Sequence, residues 1–141
     1  MKKGFTLIEL LVVVAIIGLM VSIVLVNLRG SKDKAHDANI KSFIHQLRNA
    51  AEFSYIRNNE SYSQVCDEGD NTLSNAGEFA ILESAIRKEN KNQAVTCYES
   101  ADKKDFAASS PMVAQTGKHW CVMSAGFSIE INNPITSAEC Q

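Results

Sequence analysis

The hydrophobic positions of the chain begin with a long apolar segment near the N-terminus. Residues 5–28 form a nearly unbroken apolar run of 24 residues, in which Glu9 is the only charged side chain. At about 1.5 Å per residue, a helix of this length spans about 36 Å, enough to cross a bilayer core of about 30 Å. The run therefore predicts a transmembrane helix.

The pattern changes to a helical period in residues 31–58, which contain neither Gly nor Pro. Apolar and small side chains recur there at steps of three and four residues, so they share one helix face. They are Ile40, Phe43, Ile44, Leu47, Ala50, Ala51 and Ser54. We predict one continuous helix that packs this stripe onto a globular head. Phe53 and Ile56 lie off the stripe; we expect them to pack under the following loop, or else against another copy of the chain.

The remaining pattern, in residues 59–141, predicts a small head with one helix and a sheet. Ser74–Asn92 reads as a helix, with Asn75 as its N-cap and Glu78 as the reciprocal partner. Short β-like segments follow at residues 94–98, 112–115, 119–123 and 127–131. We expect Trp120 to serve in core or edge packing. The fold class is α+β, with the long N-terminal helix packed on an antiparallel meander of three or four strands.

The residues before the apolar run carry the most specific signal. Lys2 and Lys3 precede Gly4, and the hexapeptide from Gly4 to Glu9 reads GFTLIE. A secretory signal peptide has its small residues after the apolar core, so that cleavage removes the core. Here the small residue comes first, and a cut after Gly4 leaves the run attached. The lysines favour a cytoplasmic N-terminus, with the head on the other side of the membrane.

The segment GFTLIELLVVVAIIG resembles the class III signal of the type IV pilin and pseudopilin family. The resemblance implies a pilin fold, cleavage between Gly4 and Phe5 by a prepilin peptidase, N-methylation of Phe5, and a role for Glu9 in subunit docking. It divides the chain into a leader (1–4), a transmembrane and polymerisation helix (5–28), an amphipathic half of the stalk helix (29–58) and a globular head (59–141). The head would hold a short helix, the sheet and a disulfide-closed C-terminal loop.

Glu9 has two interpretations. A carboxylate costs about 2.5–3.5 kcal/mol at the centre of a transmembrane helix and less near an interface, so it could be a tolerated boundary charge. Alternatively, it pairs with a cation. Cleavage after Gly4 frees the α-amine of Phe5, and the same amine on a neighbouring subunit would meet Glu9 during packing. With the whole motif present, we favour this assembly role.

Four cysteines, Cys66, Cys97, Cys121 and Cys140, all lie on the predicted extracytoplasmic side, where disulfides persist. Four cysteines allow three pairings. We favour Cys66–Cys97 and Cys121–Cys140, because each closes a compact local loop, over free buried thiols. Neither the cysteines nor the scattered histidines show zinc-ligand spacing, so we predict no metal and no cofactor.

The charge and the motifs of the chain argue against a nucleic-acid-binding protein and against an enzyme. Residues 61–141 carry 6 Lys or Arg against 11 Asp or Glu, so the head is acidic and offers no evident surface for nucleic acid. There is no nucleophile elbow, P-loop or HExxH motif, and we interpret the chain as a substrate of the prepilin peptidase rather than an enzyme.

The resemblance implies a structural subunit that polymerises through its N-terminal helix into a type IV pilus for adhesion, twitching motility or DNA uptake. Its partners would be further copies of itself, the prepilin peptidase, an assembly platform protein and an assembly ATPase. It would reside in the cytoplasmic membrane with its N-terminus inside, and then in an extracellular filament. The alternatives are a type II secretion pseudopilin and a membrane-anchored binding module that does not polymerise. Major secretion pseudopilins usually have a calcium site in their C-terminal loops, whereas residues 132–141 hold Glu139 as their only acid.

Overall fold

The computed structural model describes residues 4–67 and 69–141, with the side chain of Val26 excepted. Lys2 and Lys3, which carry the orientation prediction, lie outside the described residues. The chain divides into two compact units, the first ending at Asp33 and the second beginning at Lys34. The helices are α1 (Leu7–Arg57) and α2 (Gly77–Glu89). The strands are β1 (Cys66–Asp67), β2 (Thr72–Leu73), β3 (Thr96–Glu99), β4 (Phe106–Pro111), β5 (His119–Met123) and β6 (Ser128–Ile131).

The second unit has an α+β architecture, which confirms the predicted fold class. Its sheet is a meander in the order β1-β2-β3-β4-β5-β6, and every neighbouring pair is antiparallel. The sheet has six strands rather than three or four, because β1 and β2 contain only two residues each. Such short strands have no readable alternation in the sequence.

The core lies between α1 and the sheet. Ile40, Ile44 and Leu47 are completely buried on the predicted stripe of α1, and they belong to the same apolar cluster as Phe106 and Val122 of the sheet. Burying each large apolar side chain contributes about 1.5–3 kcal/mol. The amphipathic stripe is therefore confirmed as the surface that joins α1 to the head.

The central strand β4 was not predicted from the sequence, where the strand was expected at residues 112–115 instead. That prediction is wrong: residues 113–115 form a bend, and the strand ends at Pro111. β4 is rich in small and polar residues, yet five of its six residues are buried. Small side chains fit there because both faces of the strand are covered. Ser110 accepts a hydrogen bond from Asn90 of the α2 C-cap, and Ser109 accepts one from the backbone of Ile135.

The start of α2 also differs from the prediction. Asn75 was expected to cap this helix, but Ala76 occupies the N-cap position and no side chain caps it. The chain enters α2 through Gly77 at φ 56°, in the left-handed region that glycine adopts without strain. Because this turn places Asn75 outside the cap, the reciprocal pair with Glu78 is absent.

Phe53 and Ile56 do not pack under a loop, contrary to the first expectation. Their exposed fractions are 66% and 73%. Instead, Tyr62 of the loop after α1 packs against Tyr55 of the helix, and the two ring centroids lie 4.5 Å apart. The two exposed apolar side chains remain available for a contact outside the subunit.

Glu89 links the end of α2 to α1 and predicts a pH dependence of stability. His36 Nδ1 and Asn39 Nδ2 lie 2.8 and 3.1 Å from its Oε2 atom. These two hydrogen bonds lower the pKa of Glu89 below its usual value, and the one from Asn39 has the larger effect. The pKa of Glu89 is lower in the folded chain than in the unfolded chain, where it is about 4.3. The ionised carboxylate therefore stabilises the folded state fully at pH values above about 4.3, and this stabilisation is lost as the pH falls through the folded-state pKa.

We therefore expect Glu89→Gln to lower the free energy of unfolding by about 0.5–1 kcal/mol at pH 7 and by much less at pH 3. Urea unfolding of the detergent-solubilised chain at both pH values measures the difference. Glu60→Gln, at an exposed position whose side chain makes no ion pair among the described residues, is the matched control and should change the stability far less at pH 7. An equal loss at both pH values for Glu89→Gln would contradict the ionic contribution.

Candidate assembly site at the start of the N-terminal helix

The first turn of α1 holds Glu9 in a capping box. Thr6 donates two hydrogen bonds to Glu9 Oε2, from its backbone N–H at 2.9 Å and from its hydroxyl at 2.8 Å. The backbone N–H of Glu9 donates to Thr6 Oγ1 in return, at 3.3 Å. This reciprocal pattern satisfies amide groups that have no partner within the helix. From the sequence, Glu9 was interpreted only as a charge and the capping box was not predicted, although Thr-x-x-Glu spacing is the known signature of this motif.

The capping box uses only one carboxylate oxygen of Glu9. Both bonds from Thr6 reach Oε2, and within the described part of the chain Oε1 accepts no hydrogen bond. The side chain is exposed at the helix start. One carboxylate oxygen therefore remains available to a cationic group from outside the subunit.

The scissile bond predicted by the resemblance lies just before the helix. Gly4, Phe5 and Thr6 have no regular secondary structure, and α1 begins at Leu7. Phe5 is 84% exposed, so its side chain makes little contact within the subunit. Cleavage between Gly4 and Phe5 would leave Thr6 and the capping box in the mature chain, with the new α-amine one residue before Thr6.

The large apolar side chains that the structure describes in the first unit are exposed. Every described large apolar side chain from Phe5 to Leu28 is at least 49% exposed. The α1 helix is long and apolar enough, by length and composition, to cross a membrane. An apolar surface of this extent requires a covering of lipid or of other protein helices.

The four cysteines form two disulfides in the second unit. Cys66 of β1 is bonded to Cys97 of β3, and Cys121 of β5 is bonded to Cys140 near the C-terminus. This is the pairing that the loop lengths favour. The first bond holds the short β1–β2 hairpin against β3, and the second holds the segment after β6 against the sheet.

The other residues considered from the sequence are placed without a reactive arrangement. Trp120 is half-buried against the core, with Lys41 Nζ 4.3 Å from its ring centroid and His45 at its edge. Within residues 4–67 and 69–141, no group of three His, Cys, Asp or Glu side chains could hold a metal ion.

Comparisons with known proteins agree with the geometry of the helix start. A family model described as the prokaryotic N-terminal methylation motif matches residues 1–25. The type II secretion system core protein G of Escherichia coli is 36% identical over 88 residues, covering 62% of this chain and 59% of that protein. This chain is related to pilins and pseudopilins. The recognition made from the sequence is thereby confirmed, and the helix-on-sheet fold is pilin-like.

Two further relatives show that the similarity reaches both branches of the family. The core protein G of Vibrio cholerae is 41% identical over 68 residues, which are 48% of this chain and 45% of that protein. The type IV wide pilus major component of Thermus thermophilus is 37% identical over 57 residues, 40% of this chain and 44% of that protein. This pilin-related chain spans less than two thirds of the length of each of these relatives. No solved structure matches it significantly.

Proposed function

We propose that this chain is a structural subunit that polymerises through its N-terminal helix into a type IV pilus filament, with no enzymatic activity of its own. The observation that carries the proposal is the coincidence, at one helix start, of the methylation motif, a lone carboxylate and an exposed apolar helix. The apolar surface would be covered first by lipid and then by neighbouring helices, so that its burial is retained on extraction from the membrane.

In the proposed pathway, a prepilin peptidase cuts between Gly4 and Phe5 and methylates the new amine of Phe5. The mature subunit stays in the cytoplasmic membrane through residues 5–28, with its head outside. An assembly ATPase and a platform protein then transfer it to the filament base. Residues 29–58 and the head, 59–141, form the outer part of the filament.

The proposed docking contact joins Glu9 of one subunit to the Phe5 amine of a neighbour. The capping box supports this role, because Thr6 fixes the carboxylate at the helix start through Oε2 while Oε1 stays free among the described residues. In an apolar filament core, an uncompensated charge is costly and its pairing is favoured. The contact would therefore set the axial position of the incoming subunit.

The alternative is a pseudopilin of a type II secretion system, and the relatives named core protein G favour it. Against it stands the C-terminal segment, which is closed by Cys121–Cys140 and has Glu139 as its only acid, so that a calcium site of the kind usual in major secretion pseudopilins lacks ligands. We therefore rank the pilus first.

Intact-mass analysis of filaments sheared from the cell surface tests the proposal. We expect a dominant species that begins at methylated Phe5 and lacks the hydrogens lost in two disulfides. A chain that is cleaved but stays in the membrane fraction would favour the pseudopilin or a module that does not polymerise. An uncleaved chain that still carries Lys2 and Lys3 would contradict the whole assignment.

A further inference from the structure

A cavity of about 600 Å³ lies in the second unit, between the last turns of α1 and the start of α2. Its lining comes from α1, from the loop and strand at residues 63–67, and from the first turn of α2. A volume of this size is typical of a site for a small molecule. The assembly site at Glu9 shares no residue with this cavity.

The first turn of α2 presents free backbone donors to the cavity. Gly77, Glu78 and Phe79 are the first three residues of α2, and all three line the cavity. The N–H groups of a first helical turn have no partner within the helix, and Ala76 at the N-cap position supplies no side-chain hydrogen bond. None of the three N–H groups donates a hydrogen bond elsewhere in the described part of the chain. An anionic group is favoured at such a helix start.

Two side chains of α1 add further donors to the same cavity. Ser54 is only 5% exposed and lines the cavity, yet its hydroxyl makes no hydrogen bond with any described residue. Buried polar groups are nearly always hydrogen-bonded, so this hydroxyl indicates a missing partner. Arg57 also lines the cavity and forms no ion pair among the described residues. A carboxylate is the group that best matches a guanidinium, a hydroxyl and backbone N–H groups together.

Two carboxylates in the lining decide the rest of the ligand. Asp67 and Glu78 line the cavity, and only Asp67 has a hydrogen bond, from the backbone N–H of Gly69 at 2.9 Å. These two charges would repel a simple anion, whereas they would attract an ammonium group on the same ligand. The lining also has apolar members, Ala50 and Phe79 among them, against which an apolar group could pack. The chemistry of the cavity therefore fits a small zwitterion.

We propose that this cavity binds a free α-amino acid in its zwitterionic form. The carboxylate of the ligand accepts hydrogen bonds from the start of α2, from Arg57 and from Ser54. Its ammonium group lies beside Asp67 and Glu78. The ligand thereby supplies the helix cap that Ala76 does not, and it links the end of α1 to α2. This binding function goes beyond the filament role and applies equally to a pilus subunit and to a pseudopilin.

Ligand screening on the full-length, detergent-solubilised chain is the first test. An equimolar mixture of the twenty L-amino acids is the probe, and saturation-transfer difference NMR identifies those that bind. The strongest binder is then titrated by calorimetry beside its amide, which lacks the carboxylate, and its deaminated acid, which lacks the ammonium group. We expect each analogue to bind about tenfold more weakly or worse, because each loses one set of charge-assisted hydrogen bonds.

Variants of the lining assign the two ends of the ligand. Arg57→Gln should weaken binding of the amino acid about tenfold, and Ser54→Ala about threefold. The serine variant should fold, because alanine is the better helix former. Asp67→Asn/Glu78→Gln should weaken binding of the amino acid and remove the preference for it over the deaminated acid. A merely structural role of these acids would not change that preference.

Matched controls come from the same helix. Ser42→Ala and Arg29→Gln replace residues of the same types at exposed positions of α1 that do not line the cavity. Both should bind the amino acid as the wild type does. Far-UV circular dichroism checks that every variant is folded.

Three results would overturn the proposal. The first is that none of the twenty amino acids gives a saturation-transfer signal. The second is that the deaminated acid or inorganic phosphate binds the wild type as tightly as the amino acid, since this indicates a site for anions alone. The third is unchanged binding in both Arg57→Gln and Ser54→Ala, which would place the ligand elsewhere. None of these results bears on filament assembly, which the sheared-filament experiment tests separately.

Discussion

Replacing Glu9 with alanine should reduce incorporation into filaments by about tenfold or more, while membrane insertion and cleavage after Gly4 continue. The reason is electrostatic. Without the carboxylate, the Phe5 amine of a neighbouring subunit would lie in an apolar core with no counter-charge, and breaking a buried pair in this way costs about 3–5 kcal/mol. The measurement is the ratio of mature chain in sheared filaments to mature chain in the membrane fraction.

The capping box requires controls that separate the charge of Glu9 from its effect on the helix. Glu9→Gln keeps an oxygen that can accept the Thr6 bonds, since glutamine also serves at this position of a capping box, but it removes the charge. We expect it to fail nearly as completely as Glu9→Ala. Thr6→Val removes the hydroxyl and weakens the cap, at a cost of about 0.5–2 kcal/mol, but it keeps the carboxylate. We expect it to assemble nearly as well as wild type.

The opposite result would assign Glu9 a different role. If Glu9→Gln assembles normally while Thr6→Val does not, the first turn of the helix matters and the charge does not. The docking contact between Glu9 and Phe5 would then be wrong. If both variants assemble normally, the carboxylate belongs to the tolerated boundary charges.

The parts of the fold that the sequence predicted depend on local periodicity. The stripe from Ile40 to Ser54 follows directly from the helical repeat, and the structure buries it. The strand at His119–Met123 was placed correctly because its apolar residues lie between two turns. In both cases, the residues whose pattern determines the helix or strand lie within that helix or strand.

The parts that were missed depend on residues distant in the chain. β4 is a strand because α1 covers one of its faces and the segment after β6 covers the other, and the small residues Ala107, Ala108 and Ser109 fit between them. Its own sequence lacks the apolar alternation of a half-buried strand. Likewise, the exposure of Phe53 and Ile56 depends on the path of a loop that their helix does not specify.

The candidate assembly site could be predicted only in part from the sequence. The motif around Gly4, Phe5 and Glu9 was found because its residues are contiguous, and the matching family model covers the same segment. The capping box was missed although Thr6 and Glu9 are only three residues apart.

Loss of either disulfide should be the largest single effect on the stability of the head. Closing a loop with a sequence separation of 31 residues, for Cys66–Cys97, or 19 residues, for Cys121–Cys140, removes conformational entropy from the unfolded chain. The loop-closure relation gives about 3–4 kcal/mol for each bond. We expect Cys66→Ser/Cys97→Ser and Cys121→Ser/Cys140→Ser to lower the free energy of unfolding by similar amounts, measured by urea titration. The quadruple serine variant is the control, because a reductant should lower the stability of the wild type toward that of this variant and leave the variant itself unchanged.

The two double variants should differ in which segment of the head unfolds locally and becomes sensitive to protease. Cys121 and Cys140 belong to a small apolar cluster with Ala107, Ile131 and Ile135. Residues that alternate along β4 and β5 face opposite sides of the sheet, so this cluster lies on the face away from the main core. Without Cys121–Cys140, residues 132–141 should become sensitive to protease while β3 stays protected. Without Cys66–Cys97, the β1–β2 hairpin should be cleaved first and the C-terminal segment should stay protected. Identical cleavage patterns would mean that the head unfolds as one unit and that neither bond controls a local region.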